Sequence, residues 1–183
     1  QIIDSGARTL SFVGVTITKS NTLNGDLTFN GSSFAGILAS VTVINGTFIN
    51  NIGTGVNSVS GTLGTLTTTT TLAGTTILTG DTTFSGTTRF QGTLSLNGHT
   101  ATFASGSGGV VLTADGTINT GSGTLIFNGA INGTTSGAQH LTINIASGAT
   151  VAINGVLGGS VPLGSLTVTG AGTLNIGANI TTN

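Results

Sequence analysis

Apolar and polar residues alternate over short runs along most of this chain, and the runs stop at glycine. Leu27 and Phe29 fall on one side of such a run, with Thr28 and Asn30 on the other. The same alternation places Leu94/Leu96, Leu141/Ile143/Ile145, Val151/Ile153, Leu166/Val168 and Leu174/Ile176 on single faces. A period of two is the signature of a half-buried strand, and Gly or Asn-Gly marks its end. No apolar run has a 3.6-residue period, and the abundant Gly, Thr, Asn and Ser disfavour helix interiors. The pattern predicts an all-β protein of many short strands.

One phrase recurs. It reads Gly25-Asp-Leu-Thr-Phe-Asn-Gly31, Gly92-Thr-Leu-Ser-Leu-Asn-Gly98 and Gly123-Thr-Leu-Ile-Phe-Asn-Gly129, then Ala149-Thr-Val-Ala-Ile-Asn-Gly155 and Gly164-Ser-Leu-Thr-Val-Thr-Gly170. A repeated strand-and-turn unit points to a repeat architecture. The expected fold is a parallel β-solenoid, with an antiparallel β-sandwich as the alternative. In the sandwich, each Asn-Gly would close a two-residue hairpin. Register weighs against this at Asn128-Gly129, where a hairpin would set Leu125 opposite Asn132; the one at Asn97-Gly98 is tolerable. In a solenoid, Asn-Gly turns a coil corner, because both residues tolerate left-handed backbone angles, and stacked Asn side chains form amide ladders. Coils of about 18 to 24 residues would give roughly eight to ten coils and, at ~4.8 Å per coil, a rod about 40 to 50 Å long.

The chain reads as one β-repeat domain over 1–183, with 61–183 as the repeat region. Residues 1–60 are less regular and form a candidate assembly or capping region. There, 10–17 is apolar on both faces (Leu10/Phe12 and Val13/Val15/Ile17) and wants cover on both sides. Residues 61–91 are Thr-rich, with five Thr in a row at 67–71.

Composition narrows the function. Of 183 residues, 37% are hydrophobic and 32 are Gly, but only 4% are charged, with a net charge of -1. Three cations are too few for nucleic-acid binding by phosphate neutralisation. Near-zero charge favours association, so the expected partner is another copy or a further run of repeats. With no Cys, disulfides, thiolate metal sites and a Cys nucleophile are excluded. No apolar stretch approaches the ~20 residues of a membrane helix, and no signal peptide is present. The uncharged ends, without an initiator Met, read as those of a processed product or an excised segment.

The last ~80 residues of the chain resemble the β-strand repeat regions of large bacterial surface proteins, the filamentous-haemagglutinin-like and autotransporter-passenger adhesins. Asn154-Gly-Val-Leu-Gly-Gly-Ser-Val-Pro-Leu-Gly-Ser-Leu-Thr-Val-Thr-Gly170 carries most of the resemblance, and Val110-Val-Leu-Thr-Ala-Asp-Gly-Thr-Ile-Asn119 adds to it. The resemblance implies a right-handed parallel β-helix on the cell exterior.

Residues that could carry chemistry are few. Asp26, Asp81 and Asp115 each neighbour a Gly before a strand. Paired carboxylates would suit a polysaccharide-active enzyme; stacked at whole-coil spacings, these three would lie about 10 to 14 Å apart, and turn formation is the simpler role. His99 and His140 lack a carboxylate or second His at ligand spacing, so neither a metal site nor a cofactor site is expected. Arg8, Lys19 and Arg89 are scattered and could protect sheet edges. The sequons at Asn30, Asn45, Asn132 and Asn179 are what an Asn/Gly/Thr-rich chain produces by chance. Thr16-Ile-Thr18, Thr67 to Thr71 and Thr167-Val-Thr169 resemble the Thr arrays of ice-binding solenoids, with irregular phase along the sequence. The expected function is a structural, non-enzymatic extracellular solenoid that builds a fibre, stalk or surface layer by end-to-end stacking. The alternatives are an adhesin segment that binds a glycan or host surface, then a polysaccharide-active or ice-binding protein.

Overall fold

A computed structural model describes residues 2–4, 10–12, 21–24, 27–29, 35–37, 41–44, 48–50 and 56–63 at the level of strands and their pairing, and residues 69–72, 74–105 and 109–183 in greater detail. The earlier strands are β1 (Ile2–Asp4), β2 (Leu10–Phe12), β3 (Asn21–Asn24), β4 (Leu27–Phe29), β5 (Ala35–Ile37), β6 (Val41–Ile44), β7 (Phe48–Asn50) and β8 (Val56–Leu63). They are followed by β9 (Thr69–Leu72), β10 (Thr75–Phe84), β11 (Thr87–Ser95), β12 (Ala101–Phe103), β13 (Val110–Asn119) and β14 (Thr124–Phe127). The last are β15 (Ile131–Gly133), β16 (His140–Ile145), β17 (Thr150–Ile153), β18 (Ser165–Gly170) and β19 (Thr173–Ile176). No helix occurs among the described residues.

Every pairing between these strands is parallel and joins strands one coil apart, so the fold is a β-solenoid. Three stacks run along it. Stack A joins the first part of β10 to the second part of β11, then to the second part of β13, β16 and β18: Thr75 pairs with Thr93, Thr93 with Thr117, Thr117 with Thr142 and Thr142 with Thr167. Stack B joins the end of β10 to β12, β14, β17 and β19, aligning Phe84, Phe103, Phe127, Ile153 and Ile176. Stack C joins β9 to the starts of β11 and β13, then β15, Leu157 and Ile180. From Thr75 to Thr167 the chain makes about four turns. The coil step varies from 17 residues (Leu10 to Leu27) to 26 (Leu125 to Val151), slightly beyond the expected range at both ends. The recurring phrase is one side of a coil rather than a whole coil: Gly92–Gly98 and Gly164–Gly170 lie on stack A, Gly123–Gly129 and Ala149–Gly155 on stack B.

One corner has the hairpin-like backbone that the Asn-Gly pairs suggested, whereas Asn128-Gly129, Asn132-Gly133 and Asn154-Gly155 turn without the left-handed angles expected of them. At Asn97-Gly98 both residues have positive φ, +51° and +87°, and the His99 N–H donates to the Leu96 carbonyl at 2.9 Å. That is the backbone of a tight hairpin turn. The strands it joins, β11 and β12, nevertheless belong to different stacks and pair with other coils. Two-residue turns recur at this corner one and two coils on, where Gly123 N–H bonds Thr120 and Ala149 N–H bonds Ala146. The predicted amide ladder forms at an Asn-Gly corner, where Asn154 Nδ2 donates to Asn128 Oδ1 at 3.0 Å, and a second, unpredicted one joins the strand residues Asn144 Nδ2 and Asn119 Oδ1 at 2.7 Å.

Inward-facing residues make a continuous core. Leu94, Leu141, Ile143, Val151 and Ile153 are buried, as their alternation predicted. The rings of Phe84, Phe103 and Phe127 stack face to face along stack B, with centroids 4.7 and 4.9 Å apart and planes 11° from parallel. Strand register brings the rings to the coil spacing, and each ring covers its neighbour. Gly116 points inward because Phe90, one coil away, fills its side-chain space; a Cβ at Gly116 would overlap that ring.

The core is less apolar where the sequence is Thr-rich. Thr70, Thr76, Thr82 and Thr88 face inward and are buried. Thr82 Oγ1 donates to the Gly80 carbonyl at 3.0 Å, whereas Thr70 Oγ1 and Thr88 Oγ1, paired across stack C, have no hydrogen-bond partner among the described residues. A buried hydroxyl without a partner costs about 1–3 kcal/mol. Val matches Thr in shape and in strand preference. Thr88→Val should therefore raise unfolding stability by about 1 kcal/mol in urea titration, and a loss of stability would show that the hydroxyl is satisfied.

Candidate functional site

The widest ordered array of polar side chains lies on the outer surface of stack A, where alternation turns every second residue to solvent. Its central column is Thr93, Thr117, Thr142 and Thr167, in continuous register, with Thr75 one coil before. On one side run Ser95, Asn119, Asn144 and Thr169. This column is tied along the axis: Asn144 Nδ2 donates to Asn119 Oδ1, and Thr169 Oγ1 donates to Asn144 Oδ1 at 2.7 Å. On the other side run Asp115, His140 and Ser165, with Gln91 near the start of this side, at a shift in strand register. Here the His140 backbone N–H donates to Asp115 Oδ1 at 2.9 Å, and His140 Nδ1 lies 2.9 Å from Ser165 Oγ. The Gln91 Oε1 accepts a hydrogen bond from Thr113 Oγ1 at 2.9 Å.

Asp115, His140 and Ser165 thus lie in one column, an arrangement the sequence spacing did not suggest. They do not form a nucleophilic relay. A relay needs a base that is oriented by a third group, and the Asp115 carboxylate holds the His140 main chain rather than its ring. The three residues act as a polar ladder that fastens successive coils at an exposed corner.

The remaining sequence candidates are dispersed. Asp81 sits at the corner between stacks A and B, where its Oδ1 accepts the Thr100 N–H at 2.8 Å. Asp115 sits at the corner between stacks C and A. The two carboxylates therefore lie on different edges rather than in one stacked row, and each bonds a backbone N–H of the next coil instead of closing the local turn expected of Asp. His99 closes the Asn97-Gly98 turn through its N–H, with its side chain half-buried. Arg89 is exposed within stack C, between Thr71 and Val111, so it does not guard a sheet edge as the sequence suggested. Asn132 Oδ1 accepts the N–H groups of Ser160 and Val161, at 3.0 and 3.3 Å, and Asn179 is exposed. Asp26, Arg8, Lys19, Asn30, Asn45 and the Thr16-Ile-Thr18 phrase lie outside the described residues. Among the described residues no group of three or more His, Cys, Asp or Glu is placed to hold a metal ion, and no helix is long and apolar enough to cross a membrane.

Apart from Thr167, which the Thr167-Val-Thr169 phrase singled out, the Thr column is the feature sequence reading missed. Its coil steps are 18, 24, 25 and 25 residues, so the Thr positions look unphased along the chain while the ladder brings them into line. The available signal was the recurring x-Thr-apolar-polar quartet: Gly92-Thr-Leu-Ser, Gly116-Thr-Ile-Asn, Leu141-Thr-Ile-Asn and Leu166-Thr-Val-Thr. Comparison with known proteins finds no matching family model, no similar curated protein and no similar solved structure.

Proposed function

We propose that this chain is a structural, non-enzymatic solenoid that builds an extracellular fibre, stalk or surface layer by end-to-end stacking. The observation that carries the reading is the state of the last coil. Ile153 and Leu157 are fully buried, yet their partners one coil on, Ile176 and Ile180, are 52% and 37% exposed. Leu166, Val168 and Leu174 line the same end and are only partly buried. The backbone of β18 and β19 pairs on one side only. Apolar core and open strand edges together make a template for another coil, from a second copy or from further repeats of the same chain, and near-absent charge leaves little to repel it. Support for a place outside the cell is the resemblance to bacterial surface repeats.

Light scattering over a concentration series, with negative-stain microscopy, tests the reading. The expected result is concentration-dependent rods that Ile176→Asp reduces to single chains while strand content is kept. Monodisperse single chains of the unmodified protein at every concentration would contradict it.

A further inference from the structure

We propose that the outer surface of stack A binds ice, through the ordered hydroxyls of Thr93, Thr117, Thr142 and Thr167. Parallel pairing fixes these residues one coil apart, ~4.8 Å, and the flanking columns stand two residues away along each strand, about 6.6 Å. Thr is stiff at χ1 on a strand, so the hydroxyls and methyls keep that spacing. No protein group among the described residues accepts from or donates to the four hydroxyls, which leaves them to water. The flanking amides, by contrast, are occupied with one another along the axis, through the bonds among Asn119, Asn144 and Thr169. The surface therefore offers a row of free hydroxyls at a fixed period, held between columns that do not rearrange. Water bound to such a row inherits its period, and the period is close to that of oxygen rows in hexagonal ice. The methyl groups between the hydroxyls restrict the orientation of neighbouring water further.

Charge and ring content separate this from other ligands. The three columns hold one carboxylate, Asp115, whose Oδ1 is already engaged by a backbone N–H, so no strong field disrupts a water lattice. They contain no Phe, Tyr or Trp side chain on which a sugar ring could stack. Stack B carries a shorter Thr column, Thr124, Thr150 and Thr173, beside Ile126, Ala152 and Asn175, and serves as an internal control.

The test is thermal hysteresis and partition of the full chain into slowly growing ice, with unrelated protein at equal mass concentration as the baseline. The expected result is activity above baseline that falls several-fold in Thr142→Tyr, which breaks the flat surface, and also in Thr142→Val, which keeps its shape without the hydroxyl. Thr150→Tyr on stack B should leave the activity unchanged. Circular dichroism identifies any variant that fails to fold, and Thr142→Val then carries the comparison. Baseline behaviour of the unmodified folded chain would overturn the proposal, as would equal loss in Thr150→Tyr. Glycan-array binding that Thr142→Tyr abolishes, without ice partition, would overturn it in favour of a sugar ligand.

Discussion

Phe103→Ala should be among the most damaging single substitutions in the chain, lowering stability by about 3–5 kcal/mol. Phe103 is buried in the middle of the ring stack, with Phe84 on one side and Phe127 on the other. Truncation removes the transfer free energy of one ring and leaves a cavity that the coil spacing holds open, because strand hydrogen bonds on both sides fix the neighbouring backbones. It also breaks both stacked contacts, each worth about 0.5–1.5 kcal/mol beyond area burial. Phe103→Leu fills part of the space and should cost less. Urea unfolding followed by circular dichroism measures the difference. A loss no larger than that of a surface change, about 0.5 kcal/mol, would mean that the rings do not stack between coils.

Gly155→Ala should be nearly as harmful for a different reason. Asn154-Gly155 lies one coil above Asn128-Gly129, and a Cβ on Gly155 would overlap the Gly129 carbonyl. The obstacle is backbone, so no rotamer change relieves it, and the two coils must separate locally. The loss should reach or exceed the upper end of the about 1–3 kcal/mol typical of overpacking. Gly148→Ala is the informative comparison. Gly148 has φ +81°, but nothing lies within 4 Å of where its Cβ would be. Only the left-handed backbone penalty applies there, about 1–2 kcal/mol. Gly148→Ala should therefore be clearly milder than Gly155→Ala in thermal melts. The reverse order would place the tight coil contact at the wrong corner.

The fold was legible in the sequence to different degrees along the chain. The alternation in Leu141-Thr-Ile-Asn-Ile145 identified a half-buried strand with Leu141, Ile143 and Ile145 inside, because a period of two has one reading on a sheet. Asn97-Gly98 was ambiguous, because one tight turn serves a hairpin and a coil corner equally well; only pairing with other coils separates the two. In the Thr-rich run, alternation carries no contrast. Thr70 and Thr88 lie inside while Thr69 and Thr87 lie half-exposed, and nothing in Thr-Thr-Thr announces which is which. The polar array on stack A was hidden for a related reason. Unequal coil lengths erase its period along the chain, and the column appears only when lateral hydrogen bonds set the register.

Coils of parallel strands stack along one axis, and in the proposed assembly they continue from chain to chain. Diffraction from oriented assembled material tests this directly. A strong reflection is expected at ~4.8 Å along the long axis of the rods, from strands lying across it. A ~4.8 Å reflection perpendicular to the long axis would place the strands along the rod and contradict both the stacking and the surfaces derived from it.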